Sequence, residues 1–259
     1  MKTTFTFSLL LCLAATMQGA ELLIYDFGTE TPTVTSPAAS GVDINLDTTD
    51  IGFASSGFVF TTSSLLGNPK PSILANASGS QLGSRNATEA LANNDYIGFT
   101  VTPDSGFEMD LTSFKLDVQA LYGTLGVSGD MTEFSFGLFS SVDGFDNTGD
   151  MIGSSQNISY TNPSDGANQG GFSTLTFDLS STTKLSTPTE FRMYVWVSTL
   201  TGDNTNYNNR RLALDNVILD GTVSAIPEPA SVSLVVAGLA SALVLLRRKS
   251  QRTDIHTGV

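Results

Sequence analysis

The chain is expected to fold as an all-β protein, an antiparallel β-sandwich of jelly-roll type, and three observations lead there. Apolar and polar residues alternate with period two through most of Glu21–Val223, helical periodicity is scarce, and the alternating runs are separated by clusters of Gly, Asn, Asp and Ser. In FKLDVQALY, Phe114, Leu116, Val118, Ala120 and Tyr122 fall on one face and Lys115, Asp117 and Gln119 on the other. FRMYVWVS sets Phe191, Met193, Val195 and Val197 inward in the same way, and YIGFTVT, FSFGLF and LTFDL complete a set of strands. Strands without intervening helices bury their apolar faces against a second sheet. In LALDNVILDGTV the parity slips: Leu212 and Leu214 share one face, while Val217 and Leu219 continue on the other. One extra residue restores the phase, so a bulge is expected at Asp215-Asn216.

At 259 residues and 40% hydrophobic content, the chain can bury a sizeable core, and its 16 Phe and many Gly, Ser and Thr suit strands and turns. Five of its 12 basic residues (Lys2, Arg247, Arg248, Lys249, Arg252) and one of its 25 acids (Asp254) lie outside Glu21–Glu228. That leaves 7 basic against 24 acidic residues there, a net charge of −17. Such a body repels nucleic acid and anionic headgroups, so no nucleic-acid partner is expected.

The two ends have a different composition. Lys2 followed by FSLLLCLAATMQGA reads as a signal peptide covering residues 1–20, with cleavage after Ala20. Cys12 is the only cysteine and would be lost with it; a lipoprotein site would need a small residue where Leu11 stands. The mature protein then has no thiol chemistry. After the sandwich domain, residues 21–223, a short linker (224–229) ends in Pro227-Glu228-Pro229. The 17 residues Ala230–Leu246 follow without a charge, just long enough as a single transmembrane helix for most of a hydrocarbon core of about 30 Å. Arg247, Arg248 and Lys249 then stop translocation and keep the tail, 247–259, inside. Two prolines cannot continue a helix, so Pro227-Glu228-Pro229 is expected as an extended peptide at the membrane face.

This order of Pro-Glu-Pro, apolar helix and basic cluster at the C-terminus of a signal-peptide protein resembles the PEP-CTERM sorting signal. The resemblance covers about the last 30 residues. It implies an exosortase as partner, a membrane-embedded transpeptidase-like enzyme, with removal of the helix and delivery to the cell surface or outside. SSVDGF (Ser140–Phe145) and LALDNVILDGTV (Leu212–Val223) also resemble the β-sandwich regions of PEP-CTERM proteins, which implies shared architecture and no activity.

Catalysis has little to work with. His256 is the only histidine and lies beyond the apolar run, so the body holds no Ser-His-Asp triad, Cys-His pair or His-ligated zinc. A carboxylate-pair glycosidase needs no histidine, but the acids sit mostly in turn-like strings such as DGFDNTGD. The expected function is therefore that of a non-enzymatic surface or matrix-type protein, with a glycan-binding, lectin-like module as the alternative and extracellular polysaccharide as its partner.

Asp26 in YDFG and Asp215 in LDNV lie in the first and last strands, which often adjoin in a jelly roll, so the two carboxylates would share a structural calcium or else be separately solvated. DINLDTTD (Asp43, Asn45, Asp47, Asp50) lacks the glycine and glutamate of an EF-hand and reads as a turn. On the outward face of FRMYVWVS, Arg192, Tyr194 and Trp196 align at period two. They either form an open glycan platform or lie under a loop such as GDNTNYNNRR.

Overall fold

The computed structural model describes residues 20–26, 38–54, 58–62, 71–75, 84–122, 131–161, 172–200, 210–227 and 241. In chain order the strands are β1 (Ala20–Tyr25), β2 (Gly41–Val42), β3 (Leu46–Thr48), β4 (Gly52–Phe53), β5 (Phe58–Thr62), β6 (Pro71–Ala75), β7 (Tyr96–Pro103) and β8 (Phe107–Tyr122). They continue as β9 (Met131–Ser140), β10 (Gln156–Thr161), β11 (Ser173–Asp178), β12 (Thr189–Leu200) and β13 (Arg210–Ala225). One short helix, α1 (Ala87–Asn93), precedes β7.

The strands form two sheets. The seven-stranded sheet runs β11-β8-β13-β1-β2, with β6 beside β13 and β5 beyond β6; the six-stranded sheet runs β10-β9-β12-β7-β3, with β4 also on β7. Each strand pairing between them is antiparallel. The inward residues expected from the alternation face one another in a single core: Phe114, Leu116 and Val118 of β8, Phe191, Met193, Val195 and Val197 of β12, Ile97, Phe99 and Val101 of β7. Phe99 links the sheets through aromatic contacts with Phe114 (6.1 Å between centroids) and Tyr25 (5.3 Å), and meets Phe191 (5.9 Å) of its own sheet.

β13 carries the expected bulge. Pairing with β8 shifts between Asp215 and Ile218, and Asn216 adopts φ 46°. The left-handed backbone is tolerated by Asn, and the extra residue turns Leu214 and Val217 to the same core. A second shift follows at Asp220/Gly221, where a Cβ on Gly221 would stand 2.4 Å from the Asp110 carbonyl oxygen, so only glycine fits. At the far edges, the Gln156 side-chain amide of β10 substitutes for a strand: its Nε2 donates to the Thr176 carbonyl, and its Oε1 accepts from the Thr176 N–H at 3.2 Å.

The register also fixes where the chain enters and leaves. Ala20 pairs with Gly221 and Ala225 with Phe107, so β1 begins at the end of the sandwich where β13 finishes. The β7–β8 turn and the β2–β3 turn lie at that same pole, joined by the Asp104 N–H to the Asn45 carbonyl at 2.9 Å. Among the described residues no helix is long and apolar enough to cross a membrane. The expected span Ala230–Leu246 lies outside the described residues except for Ser241, which is helical and exposed. Residues 1–19 and the basic tail also lie outside them.

Candidate functional site

Helix α1 interrupts the expected run of strands, and its cap signals are present in the sequence. Asn86 caps it by accepting from the Glu89 N–H at 3.0 Å, while the Glu89 carboxylate reaches back to the Arg85 N–H at 2.7 Å. Asn94 ends it in the left-handed region at φ 54°, its N–H turned to the Ala90 and Leu91 carbonyls. A seven-residue helix gains little from propensity alone. Its position comes from burying Ala90 against the outer face of the six-stranded sheet, with Ala87 and Leu91 packed around the same cluster.

That packing corrects the open platform. Tyr194 and Trp196 are 1% and 6% exposed, and they join Phe139 and Ala90 in a second apolar cluster on the outer face. The cover is α1 and the segment after β9, represented by Phe145 and Met151. Most of GDNTNYNNRR lies outside the described residues. Gly137, directly across from Tyr194, makes room: a Cβ there would meet the Met151 methyl carbon at 3.0 Å. Tyr194 meets Phe139 edge-on at 5.1 Å and Tyr96 at 5.2 Å.

Arg192 stays half-buried and finishes the assembly. Its guanidinium lies 4.4 Å from the centre of the Tyr96 ring and 3.9 Å from that of Phe145. Its Nε and Nη2 donate to the two oxygens of Glu190 at 2.6 and 3.1 Å. Burial opposes its charge, but bonds to Glu190 and Tyr194 outweigh burial and hold its pKa above the ordinary value. Burial raises the Tyr194 hydroxyl's pKa in turn. The sequence-predicted trio is thus brought together as a wall clamped by a cation between rings, with its aromatic faces already in use.

Two open grooves flank this wall. One, of about 500 Å³, lies between α1 and the loop after β9 and is lined by Thr88, Leu91, Ala92, Phe145, Asp146, Asn147 and Thr148. The other, of about 230 Å³, runs past Asp50, Tyr96, Thr100 and Glu190. The loop of the first turns at Gly144, whose φ of 106° suits glycine, and is tied by the Asn147 N–H bonded to the Asp150 carboxylate at 3.0 Å.

The other candidate residues have the following places. Strands β1 and β13 are neighbours, as the calcium reading requires, with Tyr25 opposite Val217. Asp26 follows Tyr25 in an exposed position, and Asp215 is 2% exposed beside the bulge. The Asp215 carboxylate accepts from the Asn216 N–H at 3.1 Å, and the Asn216 amide donates to Asp117 at 2.9 Å. Among the described residues no three His, Cys, Asp or Glu side chains are grouped to hold a metal. Asp43 caps its own turn by accepting from the Asn45 N–H at 2.9 Å. Pro227 is exposed; Glu228, Pro229, Arg247, Arg248 and Lys249 lie outside the described residues.

No family model and no curated protein matches the chain. Among solved structures, it is similar to the K1 cleaved adhesin domain of Lys-gingipain from Porphyromonas gingivalis W83, at 13% identity and a TM-score of 0.28 over 78% of this chain and 97% of that one. It is also similar to the VP2 subviral particle of infectious bursal disease virus, at 16% identity and a TM-score of 0.18 over 82% of this chain and 51% of that one. Likeness at this level carries no argument about function.

Proposed function

We propose that the chain is an exported, non-enzymatic surface or matrix-type protein, anchored in the inner membrane by Ala230–Leu246 until an exosortase acts on its PEP-CTERM signal. The observation that carries this reading is the order of the last elements. β13 is held to its end, with the Ile226 N–H bonded to the Gly106 carbonyl at 2.7 Å, and exposed Pro227 opens the Pro-Glu-Pro peptide directly after it. A folded body delivered with a short rigid peptide before an apolar run suits recognition at a membrane face. The body is read as a jelly roll, supported by the insertion of β13 between β1 and β8 and of β12 between β7 and β9.

Mass spectrometry of the mature C-terminus tests the sorting. Cells with an exosortase are expected to hold a form lacking the helix, and deletion of that enzyme should leave the full-length form in the membrane. Replacing Pro227, Glu228 and Pro229 by Ala should block the shortening without releasing the protein. Intact Arg247–Val259 on the surface-exposed product would refute the reading.

The groove between α1 and Asp146-Asn147-Thr148 favours the second reading, a polysaccharide-binding module. Its hydroxyl, amide and carboxylate groups beside Leu91 and Phe145 suit sugar hydroxyls and ring C–H groups. On a glycan array the purified body should bind without hydrolysis, and Asn147→Ala should abolish that binding; binding unaltered by Asn147→Ala would exclude this groove.

A further inference from the structure

Of the five exposed large apolar side chains among the described residues, Val42, Ile44, Val142 and Ile226 sit at the pole where β1 begins and β13 ends, and Phe172 alone lies elsewhere. Ile44 is the extreme case: at the tip of the β2–β3 turn it is 92% exposed. The turn itself is rigid, closed by the Leu46 N–H to the Asp43 carbonyl at 3.0 Å and tied to the β7–β8 turn through Asn45 and Asp104. A single exposed apolar side chain is ordinary, but four of the five at one pole are the kind of grouping that marks a contact surface.

The tether says what covers this pole. Only Pro227, Glu228 and Pro229 separate Ile226 from Ala230, the start of the proposed span. Extended at roughly 3.1 Å per residue, they keep the end of β13 within about 12 Å of the hydrocarbon edge. The headgroup layer fills roughly 5–8 Å of that distance. Ala20, the last residue of the expected signal peptide, lies at the same pole through its pairing with Gly221, so either apolar segment would bring the same surface to the bilayer. Held so close, even weak apolar insertion is favoured, because the encounter is intramolecular.

We propose that this pole, with Ile44 at its tip and Val42 and Ile226 beside it, is a lipid-contact surface for electrically neutral headgroups; the inference rests on the membrane-anchored reading above. The charge pattern sets the lipid class. Asp43 and Asp104 stand beside the apolar tips, and Glu108 holds the nearby Lys184 at 2.6 Å, so the surface disfavours anionic headgroups.

The test uses the full chain in phosphatidylcholine vesicles, with Cys12→Ser and a single environment-sensitive label on Ser105→Cys at the pole or on Ser173→Cys at the opposite end. Spin-labelled lipid is expected to quench the label at 105 severalfold more than that at 173. Ile44→Asp should remove the difference while leaving Trp196 emission, and hence the fold, unchanged, and adding phosphatidylglycerol should weaken it. Equal quenching at 105 and 173 overturns the lipid-contact surface. Flotation keeps the two readings apart: compared in chains without residues 1–20, a variant lacking Ala230–Leu246 should no longer float with vesicles under alkaline conditions. If it floats like the full chain, the anchored reading fails and this inference with it; if it does not float and 105 stays unquenched, the pole alone is wrong.

Discussion

Two apolar clusters form among the described residues, and they differ in what makes them. The cluster between the sheets is built from residues at period two on long strands, with Phe99, Phe114 and Phe191 at its centre. The cluster under α1 is built on the opposite face of the same strand β12, from Tyr194 and Trp196, which alternate with residues of the first cluster. The first exists once the strands pair. The second exists only because a seven-residue helix and the loop after β9 fold back over it. One strand therefore contributes to two cores, and its one cation, Arg192, is stabilised by aromatic faces and by Glu190 of the same strand.

The largest expected effect separates the clusters by energy. Phe114→Ala should destabilise the whole sandwich by about 4 kcal/mol in denaturant unfolding, since the emptied site lies between two sheets that cannot close together. Trp196→Ala should cost about 3 kcal/mol, less because α1 and the loop can settle into the space. The two losses should add to within about 0.5 kcal/mol, and strong coupling would show that the clusters form one unit.

Arg192→Lys comes next, with an expected loss of about 1–2 kcal/mol, because a lysine cannot make the bidentate bond to Glu190 or stack between Tyr96 and Phe145. A cost equal to that of Arg192→Ala would confirm that geometry, and not charge, stabilises the wall. Asn86→Ala should cost about 1 kcal/mol through the lost cap. Hydrogen exchange should then rise in α1 while the amides of β8 and β13 stay protected; uniform loss of protection would mean that the helix is integral to the sandwich.

The smallest effect is a pH dependence shared by both clusters. Tyr25, buried between the sheets, has its hydroxyl pushed up to about 12 by burial; it donates to the Thr49 carbonyl, and its oxygen is hydrogen-bonded to the Thr48 hydroxyl at 2.7 Å. Tyr194 is shifted in the same direction. A raised tyrosine pKa means that the unfolded chain loses its proton first, so the contribution is complete below about pH 10 and is lost as pH rises towards 12. The melting temperature should fall over that window, and Tyr25→Phe should flatten the fall while lowering stability at neutral pH by about 1 kcal/mol. An unchanged alkaline slope would assign the effect to Tyr194.

The sequence alone determined the strand faces of β7, β8, β9, β11 and β12 and the bulge at Asp215-Asn216, because side-chain alternation and its phase are local properties of a strand. It also carries the cap signals of α1 in Asn86 and Glu89, but the helix is too short for periodicity to show. Whether Tyr194 and Trp196 face water, which strands adjoin, and that Ala20, Ile44 and Ile226 gather at one pole were decided only by the tertiary structure. Each depends on segments far apart in the chain meeting on one surface. Alternation marks which residues share a face, but only the pairing of sheets and the placing of a cover decide whether that face is buried.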